Sequence, residues 1–196
     1  IGGPARYFCE PCSSAEVKSA LDFAASAGLQ IYILGKGTNL LISDEGIDGL
    51  VIRIGQRLGS WSLEDGAVRV GAGLMLDRLI GFLAEEGYGG FEKLAGIPGS
   101  VGGGLFMNAG AHGVALGNFV LESLVMNHHG ELRRLSPEEH DFAYRSSVFQ
   151  RQAMIVLETR LGITVHPRDQ LRETIVQTKE LRKRLPSLPS CGSTFK

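Results

Sequence analysis

The chain has 196 residues, a formal net charge of −1, 43% hydrophobic and 21% charged residues. That is ordinary globular composition, long enough for one large domain or two small ones with a real core. It lacks the basic excess expected of a protein that binds nucleic acid or a membrane surface, no apolar run approaches the ~18 residues of a membrane span, and no signal-peptide pattern is present.

In chain order, residues 1–8 read as a turn and a short strand. Cys9 and Cys12 form a C-x-x-C, but neither a second ligand pair nor a redox helix follows, so they read as ordinary thiols at a strand end. With Cys191 they make three cysteines, an odd count that fits a reducing, cytoplasmic setting. Ser13 is placed as an N-cap with Glu16 three residues on. It opens a helix over 15–27 whose Val17, Ala20, Leu21 and Ala24 share one face, and Gly28 ends it. Strands are expected over 31–34 and 50–54, so residues 1–55 form a β-α-β-β unit. Residues 60–63 and 67–73 alternate around a 64–66 turn, a hairpin. Residues 76–86 are a helix ended by Gly87. A second hairpin spans 120–135 and turns near His129-Gly130. The His128-His129 pair has no third ligand nearby and reads as a turn rather than a metal site. Ser136 opens a short helix, 153–161 is a strand, and 168–184 is a charged amphipathic helix. Its basic run from Lys179 to Arg184 suits a helix C-terminus and reads as a solvated face. The abrupt ends at Ile1 and Lys196 are read as those of a fragment, or of the ordered part of a longer chain.

Two stretches stand apart. Nine of the 27 glycines of the chain lie in them. The first, LGKGTNLL at 34–41, follows a short apolar strand. Gly35 and Gly37 bend the backbone so that successive N–H groups face one point, and Thr38 and Asn39 add side-chain donors, a nest suited to phosphate or pyrophosphate. It is neither a Rossmann fingerprint, since the third glycine and following helix are missing, nor a P-loop, since Lys36 sits between the glycines. The second, LAGIPGSVGGGLFMNAGAHG at 94–113, is apolar and glycine-rich. One reading is a sharp turn with a tightly packed helix start. The other, favoured by the loop upstream, is a buried segment whose glycine backbone approaches a ligand, because each Gly penalises a helix by about 1 kcal/mol.

Two clusters follow: YRSSVF at 144–149, where Arg145 could pair with a carboxylate, and CGSTFK at 191–196, where Ser193 could be a proton donor held in a turn. GGPARYF, LGKGTNLLIS, AGIPGSVGGGLFMNAGAHG, YRSSVF and CGSTFK occur in this order. Together they closely resemble the bacterial UDP-N-acetylenolpyruvoylglucosamine reductases, over essentially the whole chain. The glycine loops alone would indicate only the wider vanillyl-alcohol-oxidase/PCMH-type FAD-binding fold; the last two motifs single out the reductases. The absence of a long insertion after YRSSVF resembles their shorter, type II form.

The resemblance implies an α+β fold: one FAD-binding subdomain over 1–55, a second over 56–185, and the start of a truncated substrate domain over 186–196. It implies non-covalent FAD, with NADPH as hydride donor. Leu34, Gly35, Lys36, Gly37, Thr38, Asn39 and Leu40 match the loop that wraps the FAD pyrophosphate. Pro98, Gly99, Ser100, Gly102, Gly103, Asn108, Ala109 and Gly110 match the loop that lines pyrophosphate and flavin. Arg145 matches the arginine that meets the substrate carboxylate, Ser193 the proton-donating serine, and Tyr144 and Lys196 further substrate contacts. The substrate implied is UDP-N-acetylglucosamine enolpyruvate, reduced to UDP-N-acetylmuramate for peptidoglycan by a cytoplasmic monomer, with no metal, nucleic acid or membrane partner. Two departures stand out: the further chain that family members carry after the serine motif, with a catalytic glutamate, is absent, and Arg184 stands near where some members have a substrate-binding lysine. The rival readings are another FAD oxidoreductase of the same fold and a non-catalytic FAD-binding fragment.

Overall fold

The computed structural model describes residues 2–183. The expectations placed on Arg184, Cys191, Ser193, Lys196 and the segment 186–196 lie outside the described residues.

The chain opens with strand β1 (Ala5–Cys9), helix α1 (Ser14–Ser26), β2 (Ile31–Leu34) and β3 (Ile47–Arg53). The three strands form a parallel sheet in the order β1-β3-β2. Ser13 caps α1 by accepting the Glu16 N–H at 3.2 Å. The Glu16 carboxylate reaches back to the Cys12 N–H at 2.9 Å, one residue earlier than a capping box requires. Val17, Leu21 and Ala24 are buried on the sheet side. β3 starts three residues before its expected onset, because β1 pairs with it from Ile47, whereas β2 joins only from Leu50. The connection from β2 to β3 is the first glycine loop. A parallel crossover normally needs a helix, so this one is a segment of irregular backbone.

The second sheet is antiparallel and built from β4 (Trp61–Glu64), β5 (Ala67–Gly71), β9 (Val120–Met126), β10 (Leu132–Leu135) and β11 (Ile155–Gly162), in the order β10-β9-β11-β5-β4. Between β5 and β9 lie α2 (Leu76–Glu86), the short β6 (Tyr88–Gly89), α3 (Val101–Phe106) and the small hairpin β7 (Gly110–Ala111) and β8 (Val114–Ala115). After β10 come the one-turn α4 (Val148–Arg151), β11, β12 (Thr164–Val165), which pairs with β6, and α5 (Arg168–Lys183). Leu76, Leu79, Ile80 and Leu83 of α2 join Val68, Val70, Leu157 and Leu161 of the sheet in one buried core, which also takes in Val17 and Leu21 of α1 and Ile52 of β3. The two sheets therefore share packing.

The helix start weighed for the second glycine stretch is present: 101–106 is helical, with Ser100 as N-cap accepting the Gly103 N–H at 3.3 Å. Packing overrides propensity here. A Cβ on Gly102 would lie 2.8 Å from the Ala72 Cβ, and one on Gly104 3.1 Å from Leu116 Cδ2. The Val101 and Gly102 N–H groups donate to Leu74 O and Ala72 O at 2.8 Å each. The glycines let α3 lie directly on the strand ends.

His140 is buried and neutral. Its Nδ1–H donates to Pro137 O at 3.3 Å, and Nε2 lies 2.8 Å from the Ser123 hydroxyl, which donates to Thr159 Oγ1 at 3.1 Å. The ring stacks on Phe142, with centroids 5.1 Å apart. Burial pushes its pKa below the ordinary value; hydrogen bonds to the Ser136 and Pro137 backbone, then the charges of Glu139 and Glu138, act the other way. Below the ordinary value of about 6.5 the unfolded chain then binds more protons than the folded one, so stability drops as the pH is lowered through that window. Thermal melts should show Tm level above neutrality and declining below about pH 6.5; His140→Gln should flatten the decline above the carboxylate range. A variant that keeps the wild-type slope would remove His140 as its cause.

Candidate functional site

The two glycine loops meet. The Thr38 hydroxyl donates to Pro98 O at 2.9 Å. A Cβ on Gly35 would stand 2.8 Å from Ser100 Oγ, and one on Gly99 3.7 Å from Thr38 Oγ1. The loop after β2 is thus seated against the N-cap of α3, and the two stretches singled out in the sequence form one surface. Among the described residues, no N–H from Gly35 to Ile42 donates to a backbone carbonyl. Gly37 has φ +78°, and a Cβ there would touch only Leu34 Cδ1, at 3.5 Å. Lys36, Asn39 and Leu40 are exposed beside it, while Leu34 ends β2 with its carbonyl accepting the Ile54 N–H at 2.8 Å. A row of uncommitted N–H groups with no side chains in the way can hold a phosphate or diphosphate.

The α3 side divides by role. Gly103 faces outward, its missing Cβ near Ser100 Oγ alone. Gly102 faces inward against Ala72, so a side chain there disturbs the fold before it reaches a ligand. Asn108, at φ +41°, is engaged at both ends of its amide: Oδ1 accepts the Gly117 N–H at 3.0 Å, and Nδ2 donates to Ala143 O at 2.9 Å. Ala109 is buried, with its N–H on Gly104 O at 2.7 Å. Gly110 begins β7.

YRSSVF forms a two-residue turn. Ala143 and Ser146 exchange backbone hydrogen bonds at 3.1 and 3.2 Å, leaving Tyr144 and Arg145 at the tip. Arg145 has φ +54°, a conformation an L side chain adopts only under constraint. The constraint comes from residues that the sequence did not flag. The Phe106 carbonyl at the C-terminal end of α3 has lost its helical partner; it accepts from Ser147 Oγ at 2.8 Å and from Gln150 Nε2 at 2.7 Å. Gln150 also donates to Arg145 O at 3.1 Å. With Asn108, these bonds fix the turn to the end of the second glycine stretch. The Arg145 guanidinium lies over the Tyr144 ring, 5.7 Å from its centroid, and touches Gly110 O at 3.4 Å. The one signal available in sequence was that Ser147 and Gln150 follow the arginine at the start of a helical turn.

The basic end of α5 differs from the solvated face expected. α5 runs antiparallel to α2: Arg172 pairs with Glu85 at 2.6 Å and Lys179 with Asp77 at 2.8 Å. Asp77 also accepts the Gly96 N–H at 2.8 Å. Arg182 is half-buried and donates from Nε to Ala95 O at 2.9 Å.

Cys9 is the last residue of β1, and Cys12 lies between β1 and α1. Burial pushes the Cys9 thiol pKa up, and a hydrogen bond to the Glu16 carboxylate does the same for Cys12, the direction away from a reactive thiolate. Among the described residues, no group of three or more His, Cys, Asp or Glu could hold a metal ion, and no helix is long and apolar enough to cross a membrane.

A family model described as an FAD binding domain matches residues 5–136, the span that contains both glycine loops. The UDP-N-acetylenolpyruvoylglucosamine reductase 2 of Symbiobacterium thermophilum is 39% identical over 198 residues, covering 100% of this chain and 64% of the relative. The reductase of Gloeobacter violaceus is 38% identical over 199 residues, covering 100% and 67%. The chain thus spans about two thirds of the length of these relatives. In structure it superposes on the crystal structure of UDP-N-acetylenolpyruvylglucosamine reductase from Thermus caldophilus with a TM-score of 0.86 and 32% identity, covering 100% of this chain and 69% of that one. A TM-score of 0.66 at 17% identity to 6-hydroxy-D-nicotine oxidase from Arthrobacter nicotinovorans, covering 83% of this chain and 37% of that one, places the fold in the vanillyl-alcohol-oxidase/PCMH type. Identity at this level along the whole chain, on a fold whose two glycine loops close on each other, makes the chain a member of the UDP-N-acetylenolpyruvoylglucosamine reductase family.

Proposed function

We propose that the chain is the FAD-binding part of a reductase that converts UDP-N-acetylglucosamine enolpyruvate to UDP-N-acetylmuramate with NADPH as hydride donor, in cytoplasmic peptidoglycan precursor synthesis. The observation that carries the reading is the junction of the two glycine loops through Thr38 and Pro98, with Arg145 held on a turn tied to the same α3. The residues present fit FAD: uncommitted N–H groups over 35–42 and outward-facing backbone at Gly37 and Gly103 suit its pyrophosphate. In this reading residues 1–55 and 56–185 are two subdomains that hold the cofactor between them, 186–196 begins the substrate domain, and the protein acts as a monomer.

When bound, FAD would supply hydride-transfer chemistry between NADPH and the enolpyruvyl group. The chain's residues do the rest. Gly35 to Leu40 hold the pyrophosphate through backbone N–H groups, and Pro98 to Gly103 with Asn108, Ala109 and Gly110 line the cofactor. Arg145 receives the substrate carboxylate. Negative charge grows towards that carboxylate as hydride adds to C3, so a fixed guanidinium stabilises the transition state more than the ground state. Tyr144 covers one face of that guanidinium. Ser193 gives the proton at C2, and Lys196 contacts the substrate.

The cofactor assignment has a direct test. No cysteine or histidine lies in the first glycine loop, and His112 is the only one in the second, so the flavin is held without a covalent bond. Heat or acid precipitation of the purified protein should leave all yellow colour in the supernatant, identifiable as FAD by chromatography. Flavin retained in the pellet, or a colourless preparation that takes up no FAD, would count against this reading.

A further inference from the structure

Two guanidinium groups, one from a turn and one from the end of α5, are anchored on adjoining stretches of backbone. Arg145 is anchored through Nη2 on Gly110 O, in β7. Arg182 is anchored through Nε on Ala95 O, just after the turn Glu92–Leu94 that runs beside β7. Its stem is also fixed. Gly96 has φ +77°, and a Cβ there would lie 2.9 Å from Arg182 Cδ, so the glycine makes room for the arginine. Among the described residues, the two terminal nitrogens of Arg182 have no hydrogen-bond partner, and no carboxylate pairs with either arginine. Asp77, whose charge reaches Arg182, is committed to Lys179 and the Gly96 N–H.

We infer that Arg182 and Arg145 form one two-guanidinium site that grips an anionic group, carboxylate or phosphate, of the bound small molecule. The inference rests on the reading of Arg145 as the carboxylate-binding arginine and adds a second cation to it. Guanidinium remains charged at any working pH, so two of them held close with no acid on either destabilise the unliganded protein. Burial first and the charge of Arg145 second push the Arg182 pKa below its ordinary value, with Asp77 acting in the opposite sense. An arriving anion relieves that repulsion and gains charge-assisted hydrogen bonds from two forks. Lys179 cannot take this role, since its ammonium is neutralised on Asp77.

The test uses the FAD-loaded, full-length protein, titrated calorimetrically with UDP-N-acetylglucosamine enolpyruvate and with UDP-N-acetylglucosamine, which lacks the carboxylate. Arg182→Gln should weaken binding of the enolpyruvyl ether by about tenfold or more, the loss typical of one charge-assisted contact, and should reduce the dependence of Kd on salt. Arg182→Lys should recover part of the affinity. A loss confined to the enolpyruvyl ether identifies the carboxylate as the anion; an equal loss for both ligands identifies the diphosphate. Wild-type affinity in Arg182→Gln, with Arg145→Gln impaired, would overturn the pair and leave the reading of Arg145 standing. Wild-type affinity in Arg145→Gln would overturn both. Should Arg182→Gln fail to fold, the wild-type protein decides: affinity for the ether that does not change with ionic strength is incompatible with a two-cation site.

Discussion

Replacing Gly37 with valine should abolish flavin binding while the apoprotein stays folded. Gly37 sits at φ +78°, and the only atom near its missing Cβ is Leu34 Cδ1 at 3.5 Å, so a side chain meets no wall in the fold. Without ligand, the exposed loop can relax to a backbone that a β-branched residue tolerates. With ligand it cannot, because N–H groups converging on a phosphate require the left-handed residue between them. The strain, about 1–3 kcal/mol for such a conformation, falls on binding and adds to the steric block. Flavin occupancy should drop at least about tenfold, with an unchanged far-ultraviolet circular dichroism spectrum. Gly102→Val should give the opposite signature, a lowered Tm from overpacking against Ala72. Full flavin occupancy in Gly37→Val would mean that the first loop does not hold the pyrophosphate.

In the full-length enzyme, Ser193→Ala should leave reduction of FAD by NADPH nearly untouched and slow the half-reaction with the enolpyruvyl substrate by at least ~10²-fold, as expected on losing a positioned acid. Ser193→Cys should recover part of that rate, since a thiol also gives a proton. Arg145→Lys keeps the charge but loses the planar fork that matches a carboxylate, and the turn at φ +54° then presents a flexible ammonium in place of a fixed guanidinium. It too should slow the second half-reaction alone. Rapid-mixing absorbance of the flavin separates the two steps. Slowed reduction by NADPH in Ser193→Ala, or substrate reduction at the wild-type rate, would make Ser193 a turn residue and remove it from proton transfer.

What the sequence determined by itself was local. Ser13 before an amphipathic run, Gly87 after one, and alternation around Asp65-Gly66 each specify an element through backbone preferences that act over a few residues. The positions of α1, α2 and the hairpins follow. The family was also legible, because its motifs are contiguous: a nest must be built from adjacent N–H groups. The tertiary structure decided what depends on contacts between distant segments. Three glycines at 102–104 argue against a helix until Ala72 and Leu116 are set against them. Lys179 and Arg182 read as solvent-facing until α2 supplies Asp77 and the loop after it supplies Ala95 O. The hydrogen bonds from Ser147 and Gln150 that hold Arg145 in place end on Phe106 O, more than forty residues away in the chain. Local sequence carries the energy of backbone conformation, which each residue feels alone. The closure of one glycine loop on the other and the placement of two arginines are set by burial and pairing energies that exist only once the chain has folded.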